Sequence, residues 1–210
     1  MKYFQLFTIS ILMIPFAVIG QSIKSVVEVP DQEIKILSGT PEDYKDASSY
    51  YIRFDYTDLG IGGYESETEY IAYMREDAEL RRKSADEWEQ KWINDRKSVY
   101  EPKFLELFSK HAGSKIKIDP NNKGQEFEIN LHTQFIEIGF NRNFKESPTY
   151  INVMVTICNV TGATEPLIIS MKYVIGKEAM SSYSADFRRI EEAYAKCGKE
   201  LARYMKKVIY

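Results

Sequence analysis

From Gln125 to Gly176 the chain alternates apolar and polar positions in three long runs, QEFEINLHTQFIEIGFN, YINVMVTICNV and EPLIISMKYVIG. A period of two marks strands with one buried face. In the first run Phe127, Ile129 and Leu131 alternate with Glu128, Asn130 and His132, and the apolar set then becomes Ile136, Ile138 and Phe140. The step from 131 to 136 is odd, so a β-bulge or corner between Gln134 and Ile136 is needed to keep one face buried. Ile151, Val153, Val155 and Ile157 form the inward set of the second run. Leu167, Ile169, Met171, Tyr173 and Ile175 form that of the third, after a loop over 159–164. One greasy face and one wetter face predict an antiparallel sheet covered by helices on one side only.

Upstream, Ser48 to Tyr56 reads as a strand with Tyr50, Ile52, Phe54 and Tyr56 inward and Tyr51, Arg53 and Asp55 outward. A loop containing Gly60, Gly62 and Gly63 then leads to a helix, whose start is marked by Ser66 and, three positions on, Glu69. The helical region from Glu67 to Val99 carries its apolar stripe at Tyr70, Met74, Ala78, Ala85, Trp88 and Trp92, with charge on most other positions. As one rod it would span about 50 Å. Two arrangements are open: a break at Ser84, where Ser84 and Glu87 repeat the capping spacing, or an arm projecting past the sheet. Pro102 opens or kinks a further helix to His111, closed by Gly113, and a short strand follows over 114–119. The last element, Ser184 to Val208, is a helix with a buried stripe at Phe187, Ile190, Tyr194, Cys197, Leu201, Met205 and Val208. Lys206 and Lys207 suit the negative end of its dipole. Within residues 21–47, 25–29 and 33–37 are either short edge strands or part of a low-order linker. The pattern as a whole predicts an α+β fold: two layers, a mainly antiparallel sheet, helices packed on one face, in the order β-α-α-β-β-β-β-α. It forms one domain, 48–210, behind a linker at 21–47.

The N-terminus changes the setting. Lys2 precedes an uncharged apolar run, Phe4 to Ile19, and Val18 and Gly20 are small enough for a signal-peptidase site before Gln21. Residues 1–20 are therefore expected to be a signal peptide, with an N-terminal membrane anchor as the rival. The run contains Pro15 and is short of the roughly 20 residues a span takes, and no cysteine stands at the cleavage point for a lipid anchor. The expectation is an exported chain of bacterial type, periplasmic or extracellular, with no stable membrane insertion once the signal is removed. Hydrophobic residues make up 44% of the chain, enough for a core without metals or staples. With 28 basic and 31 acidic residues, net charge −3, a nucleic-acid partner is not expected.

Three stretches, FIEIGFN (135–141), YINVMVTICNVTG (150–162) and AYAKCGKELARYMKK (193–207), together with the order of elements, resemble exported proteins with the fold of the TolB N-terminal domain and of the periplasmic lipoprotein activators of penicillin-binding proteins. The likeness covers about the last 80 residues, and the long charged helix and the missing lipobox cysteine depart from it. The resemblance implies a non-enzymatic envelope role and brings over no catalytic residue.

Candidate chemistry is sparse. The glycine loop lacks the full phosphate-loop spacing, and Glu65, Glu67 and Glu69 would repel an anion there. Asp55, Asp58, Glu65 and Glu67 stand near the same loop, but their spacing matches no calcium loop. His111 and His132 are the only histidines, and no metal or nucleophile motif occurs, so no cofactor and no catalytic residue is expected. Alternation sends Cys158 to the wetter sheet face and Cys197 to the helix stripe on the other side, which predicts no disulfide between them. Asn159-Val160-Thr161 is a glycosylation sequon by letter only. A basic set on the last helix, Arg188, Arg189, Lys196, Lys199, Arg203, Lys206 and Lys207, is diluted by Glu191, Glu192 and Glu200. The charged helix holds the best interaction candidate: Trp88 and Trp92, one turn apart, either pin the helix to the sheet or form an aromatic ridge for a partner. The function expected is that of a binding accessory module with an envelope protein or envelope component as partner, and not an enzyme. The alternative is a small secreted hydrolase using paired carboxylates.

Overall fold

The computed structural model describes residues 25–26, 28–142, 145–176 and 185–210. The expected signal peptide and the Ser184 cap lie outside them. The elements in order are β1 (Ser25–Val26), β2 (Glu33–Ser38), a 3-10 turn (Pro41–Tyr44), β3 (Ser49–Asp55), β4 (Gly60–Ile61), α1 (Glu67–Leu80), α2 (Ala85–Asp95), a π turn (Arg96–Tyr100), α3 (Glu101–Ala112), β5 (Lys117–Asp119), β6 (Phe127–Glu137), β7 (Phe140–Arg142), β8 (Lys145–Ser147), β9 (Tyr150–Asn159), β10 (Leu167–Ile175) and α4 (Ala185–Val208).

The fold is α+β. Its main sheet runs β2-β10-β9-β6-β3-β5, with β4 added alongside β6. The strands β2, β10, β9 and β6 are antiparallel neighbours, whereas β3 is parallel to both β6 and β5. The parallel pairs follow from connectivity: three helices intervene between β3 and the strands it joins, and such crossovers deliver parallel neighbours. β1, β8 and β7 form a second, small sheet that the sequence pattern did not announce.

The two-residue rhythm holds on β9, where Ile151, Val153, Val155 and Ile157 are wholly buried. Leaving water contributes about 1.5–3 kcal/mol for each such side chain. On β6 the register slips between Thr133 and Phe135, the expected bulge, and it restores Ile136 to the core. Two expectations need correction. Phe140 is exposed, because it belongs to the small sheet and not to the buried face of β6. On β10 the backbone of Tyr173 turns to φ +54, the pairing slips between Met171 and Val174, and Val174 takes the buried place, so that Tyr173 and Ile175, both assigned inward, are left only partly buried. Tyr173 instead packs on Tyr150, ring centres 5.4 Å apart, and donates its N–H to Asn152 Oδ1 at 2.8 Å.

Of the two readings for 33–37, the edge strand is the one realised. Ile34 and Ile36 pack on the core, and Tyr44 is wholly buried with its hydroxyl 2.8 Å from the Glu165 carbonyl oxygen and 3.0 Å from that of Ile157. The core therefore begins upstream of residue 48, because an aromatic ring in the 21–47 stretch closes the end of the sheet. α4 carries its stripe as expected: Ile190, Tyr194, Cys197, Leu201 and Met205 are wholly buried. Gly198 lets α4 lie against α3 backbone to backbone, since a Cβ there would stand 2.3 Å from the Phe104 carbonyl oxygen.

Candidate binding groove at the helical hairpin

The helical region breaks at Ser84, not into a projecting arm. Ser66 Oγ accepts the Glu69 N–H and Ser84 Oγ accepts the Glu87 N–H, each at 3.2 Å, so both predicted caps form. Between the helices Arg82 sits at φ +56, its N–H on the Glu79 carbonyl (2.9 Å), while the Lys83 N–H reaches the Ala78 carbonyl (2.8 Å). That pair of bonds is a Schellman turn, with Arg82 in the position glycine usually fills. Arg75 staples the hairpin by reaching Asp86 (2.8 Å) and Glu89 (2.5 Å) on α2. Beyond Asp95 the helix widens by one residue: the Glu101 N–H goes back to the Arg96 carbonyl, which accommodates Pro102 and its missing donor.

The two tryptophans stack at 6.0 Å with 9° between their planes, and they differ in what surrounds them. Trp92 is 2% exposed. Its Nε1–H donates to Glu67 Oε1 at 2.6 Å, the Arg96 guanidinium shares that carboxylate, and Tyr70 meets the ring edge-on at 5.0 Å. Trp88 is half-buried and lines a cavity of about 1050 Å³ running between the hairpin turn, α2 and the start of α4. Phe187 of α4 forms part of the wall, with Lys91 Nζ 4.4 Å from its ring centre. Lys91 also bonds Asp95 at 2.6 Å, so the most buried carboxylate of the wall is neutralised from within. Arg82, Lys83, Arg188, Glu87 and Glu191 complete the charged part of the lining.

The remaining candidates are dispersed. Gly60 belongs to β4, parallel to β6, and the Gly62 N–H bonds the Ile136 carbonyl at 2.9 Å, so the glycine loop is sheet and turn. Asp55 accepts from the Thr57 Oγ1–H (2.6 Å) and N–H (3.0 Å), which hold its carboxyl below the usual carboxylate range. Glu67 is committed to Trp92 and Arg96, and the Glu65 N–H is taken by Glu69. Among the described residues no group of three or more His, Cys, Asp or Glu is placed to hold a metal ion. His132 Nε2 lies 2.8 Å from the Thr57 carbonyl oxygen. His111, at the end of α3, is held below its usual range by burial and then by Arg203, Lys199 and Lys110. Cys158 lies on the outer face of β9 opposite Glu128, and Cys197 Sγ is 4.0 Å from Met171 Sδ inside the core; both thiols are free. Asn159 is buried and bonded to Thr161 and Glu126. In the basic set Arg189 is buried, with Nη2 on the Ile138 carbonyl (3.1 Å), and Glu200 lies beside Lys199 and Arg203. Sequence reasoning did not single out Arg82 or Phe187 as wall residues; only the departure from Gly at a helix end, in the run RRKS, carries a trace of the former.

Among the described residues no helix is long and apolar enough to cross a membrane. No protein-family model matches the sequence, and no curated protein matches it. Among the solved structures that align with the chain are two titled as PelC dodecamers from Paraburkholderia phytofirmans, one of them a point variant. Identities are 10% and 9% and TM-scores 0.34 and 0.33, over 79% of this chain and 96% of that one. A likeness at that level carries no argument about this protein.

Proposed function

We propose that the chain is an exported, non-enzymatic accessory module that binds an envelope protein or other envelope component in the groove beside Trp88. The observation that carries this reading is the division of labour between stacked tryptophans. One is locked into the scaffold, and the other is held rigidly by it with a face left to the cavity, which is how an aromatic anchor is presented at low entropic cost. The uncharged run before Gln21 supports export, and the resemblance to exported envelope proteins points the same way.

The competing reading, hydrolysis by two carboxylates, wants one acid held protonated close to an ionised one. Burial pushes the Glu101 carboxyl up, but Glu101 faces Tyr56 (3.4 Å) and does not line the groove. Within the groove Asp95 is paired with Lys91. The binding reading is tested by capture from envelope extracts with the wild-type chain and Trp88→Ala. A component retained by the first and lost with the second is expected, whereas identical recoveries would refute the groove. Export is tested separately by sequencing the N-terminus of the mature protein, expected at Gln21.

A further inference from the structure

Resting on that reading of the groove, we propose that its occupant is an acidic peptide segment: a bulky apolar side chain laid against Trp88 and Phe187, with a carboxylate on either side held by Arg82 and Arg188. The first observation is the backbone of Arg82. A left-handed residue costs any side chain except glycine a steric penalty, and the turn after α1 has Arg where Gly would be free of it. Strain retained at such a position points to a use for the side chain, and this side chain lines the groove.

The second observation concerns pairing. Arg53 reaches Glu128, Arg75 reaches Asp86 and Glu89, Arg81 reaches Asp77, Arg96 reaches Glu67 and Arg203 reaches Glu200. Arg189 is bonded to a carbonyl. Among the arginines whose side chains are described, Arg82 and Arg188 stand apart: both are exposed, both line the groove, and neither makes an ion pair with a described residue. Guanidinium groups bind carboxylates through two parallel hydrogen bonds, so each is a ready carboxylate receptor.

The rest of the wall narrows the occupant further. Glu87 and Glu191 also line it, so a uniformly anionic strand is opposed; an apolar centre with an acid at each arginine is what the wall matches. A sugar polymer fits less well. The neutral hydroxyl on the wall, Ser84, already accepts the Glu87 N–H, and the remaining neutral lining, Ala78, Val99, Trp88 and Phe187, is apolar or aromatic. About 1050 Å³ lies at the upper end for small-ligand sites and has room for several peptide side chains.

The test is a titration of the full chain with two synthetic twelve-residue peptides, read by tryptophan fluorescence. One carries a central Leu-Leu flanked by Glu, and the other has Lys in place of every Glu. The wild type is expected to bind the Glu peptide at least about tenfold more tightly than the Lys peptide, with the preference fading at high salt. Arg188→Gln is expected to weaken Glu-peptide binding about fivefold to tenfold. Arg82→Gly separates function from folding: it should raise Tm by about 2–4 °C by relieving the turn while weakening Glu-peptide binding to a similar degree. An unchanged affinity in Arg82→Gly, or equal affinities for the two peptides, would overturn the proposal. If neither peptide binds and Trp88→Ala still abolishes envelope capture, the acidic-peptide assignment fails and the groove reading survives, with a sugar polymer as the next occupant to try. If Trp88→Ala leaves capture intact, both fail.

Discussion

Trp88 and Trp92 occupy successive turns of one helix and stack almost in parallel, yet they meet different surroundings. Around Trp92 every direction is filled: Tyr70 on its edge, Trp88 on its face, and a carboxylate shared with Arg96 on its indole N–H. Around Trp88 one direction opens on a cavity. The cause lies in the neighbours and not in the helix. α1 runs along both halves of α2, with Tyr70 against both tryptophans and Arg75 on Asp86 and Glu89, whereas on the α4 side Phe187 approaches Trp92 to 6.3 Å and Trp88 borders the gap. The same residue type, on the same face, serves as scaffold in one place and is offered as surface in the next.

Substitution should expose the difference. Trp92→Ala is expected to cost about 3–5 kcal/mol, since it empties a filled site and strips Glu67 of a donor; urea denaturation measures it. Glu67→Ala comes next, at about 1–3 kcal/mol, because a buried indole N–H and the half-buried Arg96 both lose their acceptor. Trp88→Ala is expected to cost only about 1–2 kcal/mol, with its main effect on capture. Equal costs at positions 88 and 92 would erase the distinction. The smallest effect is at Glu101, just past the widened turn. Burial raises its carboxyl above the unfolded value, so the folded state holds the proton more firmly and ionisation opposes folding. Stability should therefore rise as pH falls from the folded-state pKa toward the ordinary glutamate value of 4.5, and this contribution should vanish in Glu101→Gln. The variant should gain less than about 1 kcal/mol at neutral pH. A steeper pH dependence in the variant than in the wild type would contradict the assignment.

What the sequence made legible was what neighbours along the chain decide. The parity of Ile151 to Ile157, the bulge at Gln134, the serine caps of α1 and α2 and the stripe of α4 are all local spacings, and each is found in place. Long-range decisions were hidden. Tyr173 leaves the core because β10 must pair with β9 on both sides of a slip, which its own alternation does not record. β3 lies parallel to β6 because of the helices between them. Tyr44 closes the sheet from a stretch that had read as linker. The groove was half legible: the tryptophans drew attention by type and spacing, but which of them the cavity would meet depended on where α4 lies beside α2, a long-range contact, and part of the wall is an arginine in a conformation no propensity would assign to it.

The most direct test of the division between the tryptophans uses two single-tryptophan chains, Trp92→Phe and Trp88→Phe, titrated with acrylamide. Trp88, left alone in the first, should emit at longer wavelength and be quenched readily. Trp92, left alone in the second, should emit at shorter wavelength and resist quenching. Equal quenching of the two, or protection of Trp88, would contradict the account.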